Sequence, residues 1–286
     1  MNALIDLVIK TNAILLTALG MVVMLMSTAA ATQIDKTVST GKVRIHYQNT
    51  PTSCDAILLG VGTAMSASSY DKLSADLTSH GYVTVILDHN PGNLVKTDGS
   101  KFAALTNEVK QNLLNWVSGS NCNAISHWVV GGHSAGGQAA QEAVSNDPQI
   151  ADAIFSIDPY NANNAGNVSL PALYWGFDVT TCFVDKNDAA KAAYYKSQNL
   201  RAFVKVKKKY SWGPCGYSPK YFHCSFCDGH CPACTNCKQT PDHFFTDVGK
   251  SVNKFIDAVF YGSWSKSQLS FSSTTPLTLY VDSDQP

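Results

Sequence analysis

The sequence predicts one α/β domain, built on a mostly parallel β-sheet with helices on both of its faces. Short apolar runs alternate along the chain with longer segments whose apolar residues recur at helical spacing. This alternation is typical of parallel strands joined by right-handed helical crossovers. The 286 residues are 45% hydrophobic and 15% charged, which is enough apolar material for a large core. The formal net charge is zero, so nothing indicates a nucleic-acid partner or an acidic membrane surface.

The first half of the domain should contain an N-terminal strand or strand pair and two strand–helix units. One or two strands are expected within residues 33–48, and the apolar run 56–62 predicts the next. A helix with one apolar face follows, and Gly81 should end it in a left-handed conformation. After a strand at 82–87, a second helix is predicted by apolar residues at helical spacing, namely Phe102, Leu105, Val109, Leu113 and Trp116.

The most informative stretch is residues 127–140, where a strand, a tight turn and a helix follow one another. An apolar run ends in Gly132-His133-Ser134-Ala135-Gly136, and small residues then begin a helix. Glycines two residues either side of the serine remove the Cβ atoms that would clash in a sharp turn. Such a turn lifts the hydroxyl off the sheet, near the positive end of the helix. An ordinary glycine-rich turn is the alternative, but the strand before and the helix after favour Ser134 as a nucleophile.

The second half repeats the same pattern. Strands are expected at 153–157, 172–175 and 202–206, with a helix near 188–197. A final helix is predicted by the apolar residues Val248, Val252, Phe255, Ile256 and Val259. The tail from Ser263 onward is rich in serine and threonine, and we expect it to add little to the core.

A nucleophilic serine needs a base, and in this kind of fold that base is a histidine oriented by a carboxylate. The expected chain order is serine, then acid, then histidine. Three histidines follow Ser134, namely His223, His230 and His243. We prefer His243, because it follows the last predicted strand and immediately precedes the last helix. His223 and His230 lie among cysteines, where a structural or surface role is expected.

Two aspartates compete for the role of the acid. Asp158 follows the strand 153–157, and Asp178 follows the strand 172–175. Both are placed where the carboxyl end of a strand delivers side chains to a site, and either could instead be a plain turn former. Position in the sequence does not decide between them.

An oxyanion hole needs two backbone N–H groups that point at the developing negative charge. The residue after the nucleophile, Ala135, should supply one of them. The loop after the strand 56–62 should supply the other, and Thr63 is the candidate.

The first 31 residues differ from the rest. Lys10 precedes an uncharged run over 13–31 that ends in Ala29-Ala30-Ala31, a small-residue cleavage pattern. This predicts a secretory signal peptide, and an uncleaved membrane anchor is the alternative. The predicted domain, residues 32–286, is therefore expected in a secreted or extracytoplasmic location.

Nine cysteines, all after the leader, also favour an oxidising compartment, although an odd number leaves one unpaired or paired between chains. Cys54 and Cys122 precede two strands that should be neighbours. We hypothesise that they bridge each other, which requires their Cα atoms to lie within about 7 Å.

The insert at 214–241 holds most of the other cysteines. A zinc knuckle is one interpretation of its paired cysteines. The short spacers and the predicted export favour disulfides instead, with a pairing that the sequence leaves open. We therefore expect no bound metal.

Three stretches resemble known enzymes. Residues 77–83, Leu-Thr-Ser-His-Gly-Tyr-Val, are similar to the Leu-Ala-Ser-His-Gly-Phe-Val shared by chlorophyllases and cutinase-type polyester hydrolases. Residues 132–137 are similar to the chlorophyllase Gly-His-Ser-Arg-Gly-Gly, with Ala135 in place of arginine, and Ile157-Asp158-Pro159 is similar to its Ile-Asp-Pro-Val. Over most of residues 55–262, the chain resembles the α/β-hydrolase superfamily, most closely its chlorophyllase group and next the polyester hydrolases.

This resemblance implies the α/β-hydrolase fold with Asp158 as the acid and the Thr63 N–H in the oxyanion hole. It also implies hydrolysis of carboxylic esters without a cofactor, on chlorophyll-like, lipid or polyester substrates. We thus expect a monomeric secreted serine esterase with the triad Ser134, Asp158 and His243. The alternative is an inactive secreted binding protein of the same fold that recognises its partner through the insert 214–241.

Overall fold

The computed structural model describes residues 31–89, 97–160, 167–178, 189–207, 210–213, 216–219, 221, 223 and 242–282. These residues all belong to one compact unit, Ala31–Pro286. The predicted leader lies outside the described residues except for its last position, and so does most of the insert 214–241. No helix among the described residues combines the length and the apolar character needed to cross a membrane.

Within these ranges the chain forms eleven strands and six α-helices. The strands are β1 (Thr32–Val38), β2 (Gly41–Tyr47), β3 (Ala56–Gly60), β4 (Val83–Asp88), β5 (Trp128–His133), β6 (Ala153–Ile157), β7 (Ala172–Phe177), β8 (Arg201–Val206), β9 (Tyr210–Gly213), β10 (Gly216–Pro219) and β11 (Leu277–Val281). The helices are α1 (Asp71–Ser79), α2 (Gly99–Trp116), α3 (Ala135–Asn146), α4 (Ala189–Lys196), α5 (Asp242–Ile256) and the short α6 (Lys266–Leu269). One π-helical turn, Asp257–Tyr261, extends α5.

Nine of the described strands form one sheet in the order β1-β2-β4-β3-β5-β6-β7-β8-β11. The neighbours from β4 to β8 in this order pair in parallel. The pairs β1–β2, β2–β4 and β8–β11 are antiparallel. Strands β3, β6 and β7 are buried along their whole length, as their largely apolar sequences predict for a sheet that is covered on both faces.

Helices cover both faces of the sheet, and each face has its own apolar core. Leu73 and Leu77 of α1 share one core with Phe244 and Val248 of α5. Apolar residues of α2, α3 and α4 form the other core against the opposite face. The prediction for Gly81 is confirmed, because this residue follows α1 with φ 97°. The predicted α/β architecture is thus the observed one.

The C-terminal tail differs from expectation. The prediction that the chain after Ser263 adds little to the core is wrong, because β11 pairs with β8 and completes one edge of the sheet. Leu269 and Val281 are buried in the core that contains α1 and α5. Asp282 then accepts a hydrogen bond from the indole of Trp264 at 2.7 Å. The aliphatic residues Leu277, Leu279 and Val281 occupy every second position, which is typical of a strand. The prediction gave more weight to the serine-rich composition of the tail than to this alternation.

The predicted bridge between Cys54 and Cys122 is confirmed, with their Cα atoms 5.6 Å apart. Cys54 lies just before β3, and Cys122 lies in the segment that leads into β5. The bridge therefore ties the amino ends of two central strands, at the edge of the sheet opposite to Ser134. The other seven cysteines fall outside the described residues.

Replacing both Cys54 and Cys122 by serine should lower the free energy of unfolding by about 4 kcal/mol, since the bridge closes a long loop that restricts the unfolded chain. The two cysteines are 68 residues apart in sequence. Urea unfolding of the double variant and of each single variant measures the effect, and the three variants should lose similar stability. An unchanged urea midpoint in the double variant would contradict this assignment.

Candidate active site

Ser134 occupies the turn between β5 and α3 with φ 56° and ψ −123°, a backbone conformation that non-glycine residues rarely adopt. Such strain costs on the order of 1–3 kcal/mol and persists only where the surroundings impose it. Here the backbone N–H of Ser134 donates to the carbonyl oxygen of Ile157 at 3.0 Å. A Cβ on Gly136 would collide with the carbonyl oxygen of Gly60, and so this glycine allows α3 to start against β3. The local structure is the strained strand–turn–helix that the sequence predicts.

The loop after β3 lies directly beside the serine. A Cβ on Gly62 would come within 3.3 Å of the Ser134 Cβ. The turn from Gly62 is closed by the backbone N–H of Met65, which donates to the Gly62 carbonyl oxygen at 3.1 Å. Thr63 therefore lies in the loop that flanks Ser134. Ala135 is the first residue of α3, where a backbone N–H has no acceptor within its own helix.

Asp158 follows β6, the strand next to β5. The register pairs His133 with Ile157, so the chain leaves the sheet at Ser134 and at Asp158 side by side. Asp158 also has a positive φ, 41°, and its backbone N–H donates to the carbonyl oxygen of Trp175 at 2.7 Å. This turn fixes the carboxylate at the carboxyl edge of the sheet, as predicted.

The histidine that meets Asp158 is His223. Its Nδ1 lies 2.7 Å from Asp158 Oδ2, and both side chains are about 4% exposed. The ring of His223 lies 4.5 Å, centroid to centroid, from the ring of His133, the residue before the serine. The structure thus places His223 against Asp158 and against the ring of His133, the residue that precedes Ser134.

The preference for His243 as the partner of Asp158 is corrected by this geometry. His243 is the second residue of α5, and its Nε2 lies 2.8 Å from the hydroxyl of Tyr221. The sequence did contain a signal, because Pro241-Asp242 is typical of a helix start and puts His243 in the first turn of a helix rather than in a loop. His223 was assigned a structural or surface role because cysteines lie close to it in the sequence. His230 lies outside the described residues.

The second candidate acid, Asp178, has a different partner. Its Oδ1 lies 2.9 Å from the ammonium group of Lys205 on β8, and both side chains are partly exposed. This ion pair between the ends of neighbouring strands accounts for the position of Asp178. Asp158 is consequently the one of the two aspartates that meets the buried histidine.

Burial controls the protonation of the Asp158–His223 pair. It disfavours the charged imidazolium and lowers the pKa of His223 to about 3. Burial also raises the pKa of the Asp158 carboxyl group. The hydrogen bond from the His223 Nδ1–H acts in the opposite direction, because it favours the ionised carboxylate. A neutral His223 that donates from Nδ1 keeps its Nε2 lone pair as a proton acceptor.

No cluster of three or more metal-ligating side chains occurs in the part of the chain that the structure describes. The cysteines on which the zinc interpretation depends, from Cys224 to Cys237, lie outside that part.

The sequence model of the alpha/beta hydrolase family matches residues 56–207, from the first residue of β3 to just beyond β8. The chain belongs to the alpha/beta hydrolase family. This match and the nine-stranded, mostly parallel sheet confirm the predicted fold. A comparison with curated protein sequences finds no match for this hydrolase. Family membership places the chain among hydrolases.

Proposed function

We propose that this hydrolase is a secreted serine esterase that cleaves carboxylic esters through an acyl-enzyme. The observation that carries the proposal is the arrangement of Ser134 in a strained turn beside a buried Asp158–His223 pair. A serine at this kind of turn, a histidine and a carboxylate that orients it are the groups that acyl transfer requires.

In the acylation step, Ser134 Oγ attacks the ester carbonyl carbon while His223 Nε2 takes the hydroxyl proton. The carbonyl oxygen becomes an oxyanion, and the backbone N–H groups of Thr63 and Ala135 stabilise it. Asp158 holds the Nδ1–H of His223 and stabilises the imidazolium that forms. The protonated His223 then gives its proton to the leaving alkoxide, and the alcohol departs.

Deacylation repeats these steps with water. His223 Nε2 takes a proton from water, and the resulting hydroxide oxygen attacks the acyl carbon. The second tetrahedral intermediate collapses, His223 returns the proton to Ser134 Oγ, and the carboxylic acid leaves. Each step uses side chains and backbone groups of this chain, so the proposed reaction needs no cofactor.

We propose a hydrophobic ester as substrate, and the resemblance to chlorophyllases and polyester hydrolases supports chlorophyll-like, lipid or polyester compounds. The proposed export is supported by the apolar leader and by the Cys54–Cys122 disulfide, since disulfides persist in oxidising compartments. We further propose that the chain acts as a monomer.

Hydrolysis of p-nitrophenyl esters of increasing acyl length, with pheophytin assayed in parallel, tests the proposal. The wild type should hydrolyse at least one member of this panel, and the Ser134→Ala variant should reduce that rate to the background of the buffer. A wild type no faster than Ser134→Ala on every substrate would contradict the esterase and favour a binding protein.

A further inference from the structure

His133, the residue before the proposed nucleophile, is linked through Tyr70 to the loop after β3 and directly to the backbone of His223. It is 2% exposed, yet both of its ring nitrogens have polar partners. Nδ1 lies 2.9 Å from the hydroxyl of Tyr70, and Nε2 lies 2.8 Å from the backbone carbonyl oxygen of His223. The proposed reaction above gives His133 no role.

These partners fix the direction of each hydrogen bond. A carbonyl oxygen can only accept, so the His133 Nε2 must carry the proton that it donates to His223. In a neutral ring Nδ1 then has only a lone pair, and the Tyr70 hydroxyl must donate to it. The Tyr70 oxygen in turn accepts the backbone N–H of Gly62 at 2.9 Å.

The result is one chain of hydrogen bonds that runs from Gly62 through Tyr70 and His133 to the backbone of His223. One end holds the loop that contains Thr63, and the other end holds the backbone of His223, the proposed base. Burial and the nearby His223 keep the pKa of His133 well below its ordinary value. The His133 ring therefore stays neutral, as the donor and acceptor assignments of these hydrogen bonds require.

We propose that His133, together with Tyr70, positions the proposed oxyanion loop and the base His223 relative to Ser134. This inference rests on the proposed esterase function. The ring nitrogens of His133 bind the Tyr70 hydroxyl and the His223 backbone, and they take no part in the proposed proton transfer, so both residues are positioning residues. Asp158 fixes the ring of His223 and His133 fixes its backbone, and the two contacts together determine where Nε2 points.

Four variants separate positioning from simple packing. His133→Met removes both ring nitrogens, whereas the amide of His133→Gln can still donate to the His223 carbonyl oxygen. Tyr70→Phe removes the link to Gly62. The matched control is Tyr82→Phe, which removes the hydroxyl of another buried tyrosine. Tyr82 immediately precedes β4, and its hydroxyl donates to Asn253 Oδ1 at 2.8 Å.

His133→Met should lower kcat by about 10- to 100-fold, because a misplacement of about 1 Å in a catalytic group costs up to about 100-fold. KM should change little, since substrate is bound by other groups. His133→Gln should recover much of kcat, Tyr70→Phe should lose about tenfold, and Tyr82→Phe should retain the wild-type value. Urea unfolding of all four variants shows whether a loss of kcat follows a loss of stability.

Nitrogen NMR of histidine-labelled protein tests the hydrogen-bond chain without an ester substrate. The wild-type His133 signal, assigned by its disappearance in His133→Met, should show a neutral ring protonated on Nε2 between about pH 6 and pH 9, on either side of the ordinary histidine pKa. A proton on Nδ1, or an imidazolium at neutral pH, would overturn the inference.

The kinetic outcomes separate the two proposals. A wild type that hydrolyses esters while His133→Met is equally fast would overturn the positioning role alone. A wild type no faster than Ser134→Ala would overturn the esterase and the positioning role with it. Esterase activity that falls in His133→Met and returns in His133→Gln would support both.

Discussion

His223→Ala should lower kcat/KM for the best p-nitrophenyl ester by about 10⁵- to 10⁶-fold, the scale of loss when a triad histidine is removed. Without the imidazole, no group takes the proton of Ser134 as the tetrahedral intermediate forms. The contact with Asp158 at 2.7 Å is the reason to expect this effect at His223. Stopped-flow or long-time assays of the purified variant measure the residual rate, with Ser134→Ala as the background.

His243→Ala is the matched comparison, because the sequence alone favoured this histidine. In the structure, His243 Nε2 lies 2.8 Å from the hydroxyl of Tyr221. The ring of Tyr221 stacks on the ring of Phe244. Loss of that hydrogen bond should cost about 1 kcal/mol of folding stability. Native domains are stable by about 5–15 kcal/mol, so the variant should stay folded and kcat/KM should remain within a few-fold of the wild-type value. If His243→Ala were as inactive as Ser134→Ala while His223→Ala retained activity, the assignment of His223 would be wrong.

Asp158→Asn should lower kcat by about 10⁴-fold while leaving the fold intact. The amide has the shape of the carboxyl group, and asparagine tolerates a positive φ such as the 41° at this position. The amide can present an N–H to Nδ1 of His223, which places the ring proton on Nε2. A histidine in that tautomer has no lone pair for the proton of Ser134.

Asp178→Asn is the control for this prediction. It weakens an ion pair with Lys205 between partly exposed groups, which contributes about 1 kcal/mol or less. Its kcat should therefore stay within a few-fold of the wild-type value. Steady-state kinetics of both variants decides between the two aspartates, and a large loss in Asp178→Asn with little loss in Asp158→Asn would reverse the assignment of the acid.

Much of the fold could be predicted from the sequence because each element has a strong local signal. The strand β3 is a continuous apolar run, β6 is apolar except for Ser156, and the helices carry one apolar face, as in α2 from Phe102 to Leu113. The glycines around Ser134 mark a turn that few other residues could form. The bridge between Cys54 and Cys122 followed from the order of neighbouring strands.

The choice of histidine could not be settled in the same way, because it depends on how a long loop returns to the sheet. His223 lies between β8 and α5, and its described neighbour Tyr221 is held by a tertiary contact with His243. Side-chain identity and spacing carry little information about such a path. The role of β11 was missed for a related reason, since pairing with β8 brings together residues far apart in the chain.

Labelling with a fluorophosphonate, followed by peptide mass spectrometry, tests whether His223 activates Ser134, since this reagent is attacked by an activated serine. We expect a single adduct on Ser134 in the wild type, formed at a similar rate in His243→Ala and at a greatly reduced rate in His223→Ala. An unlabelled Ser134 in folded wild-type protein, or labelling that depends on His243 and not on His223, would contradict this role of His223.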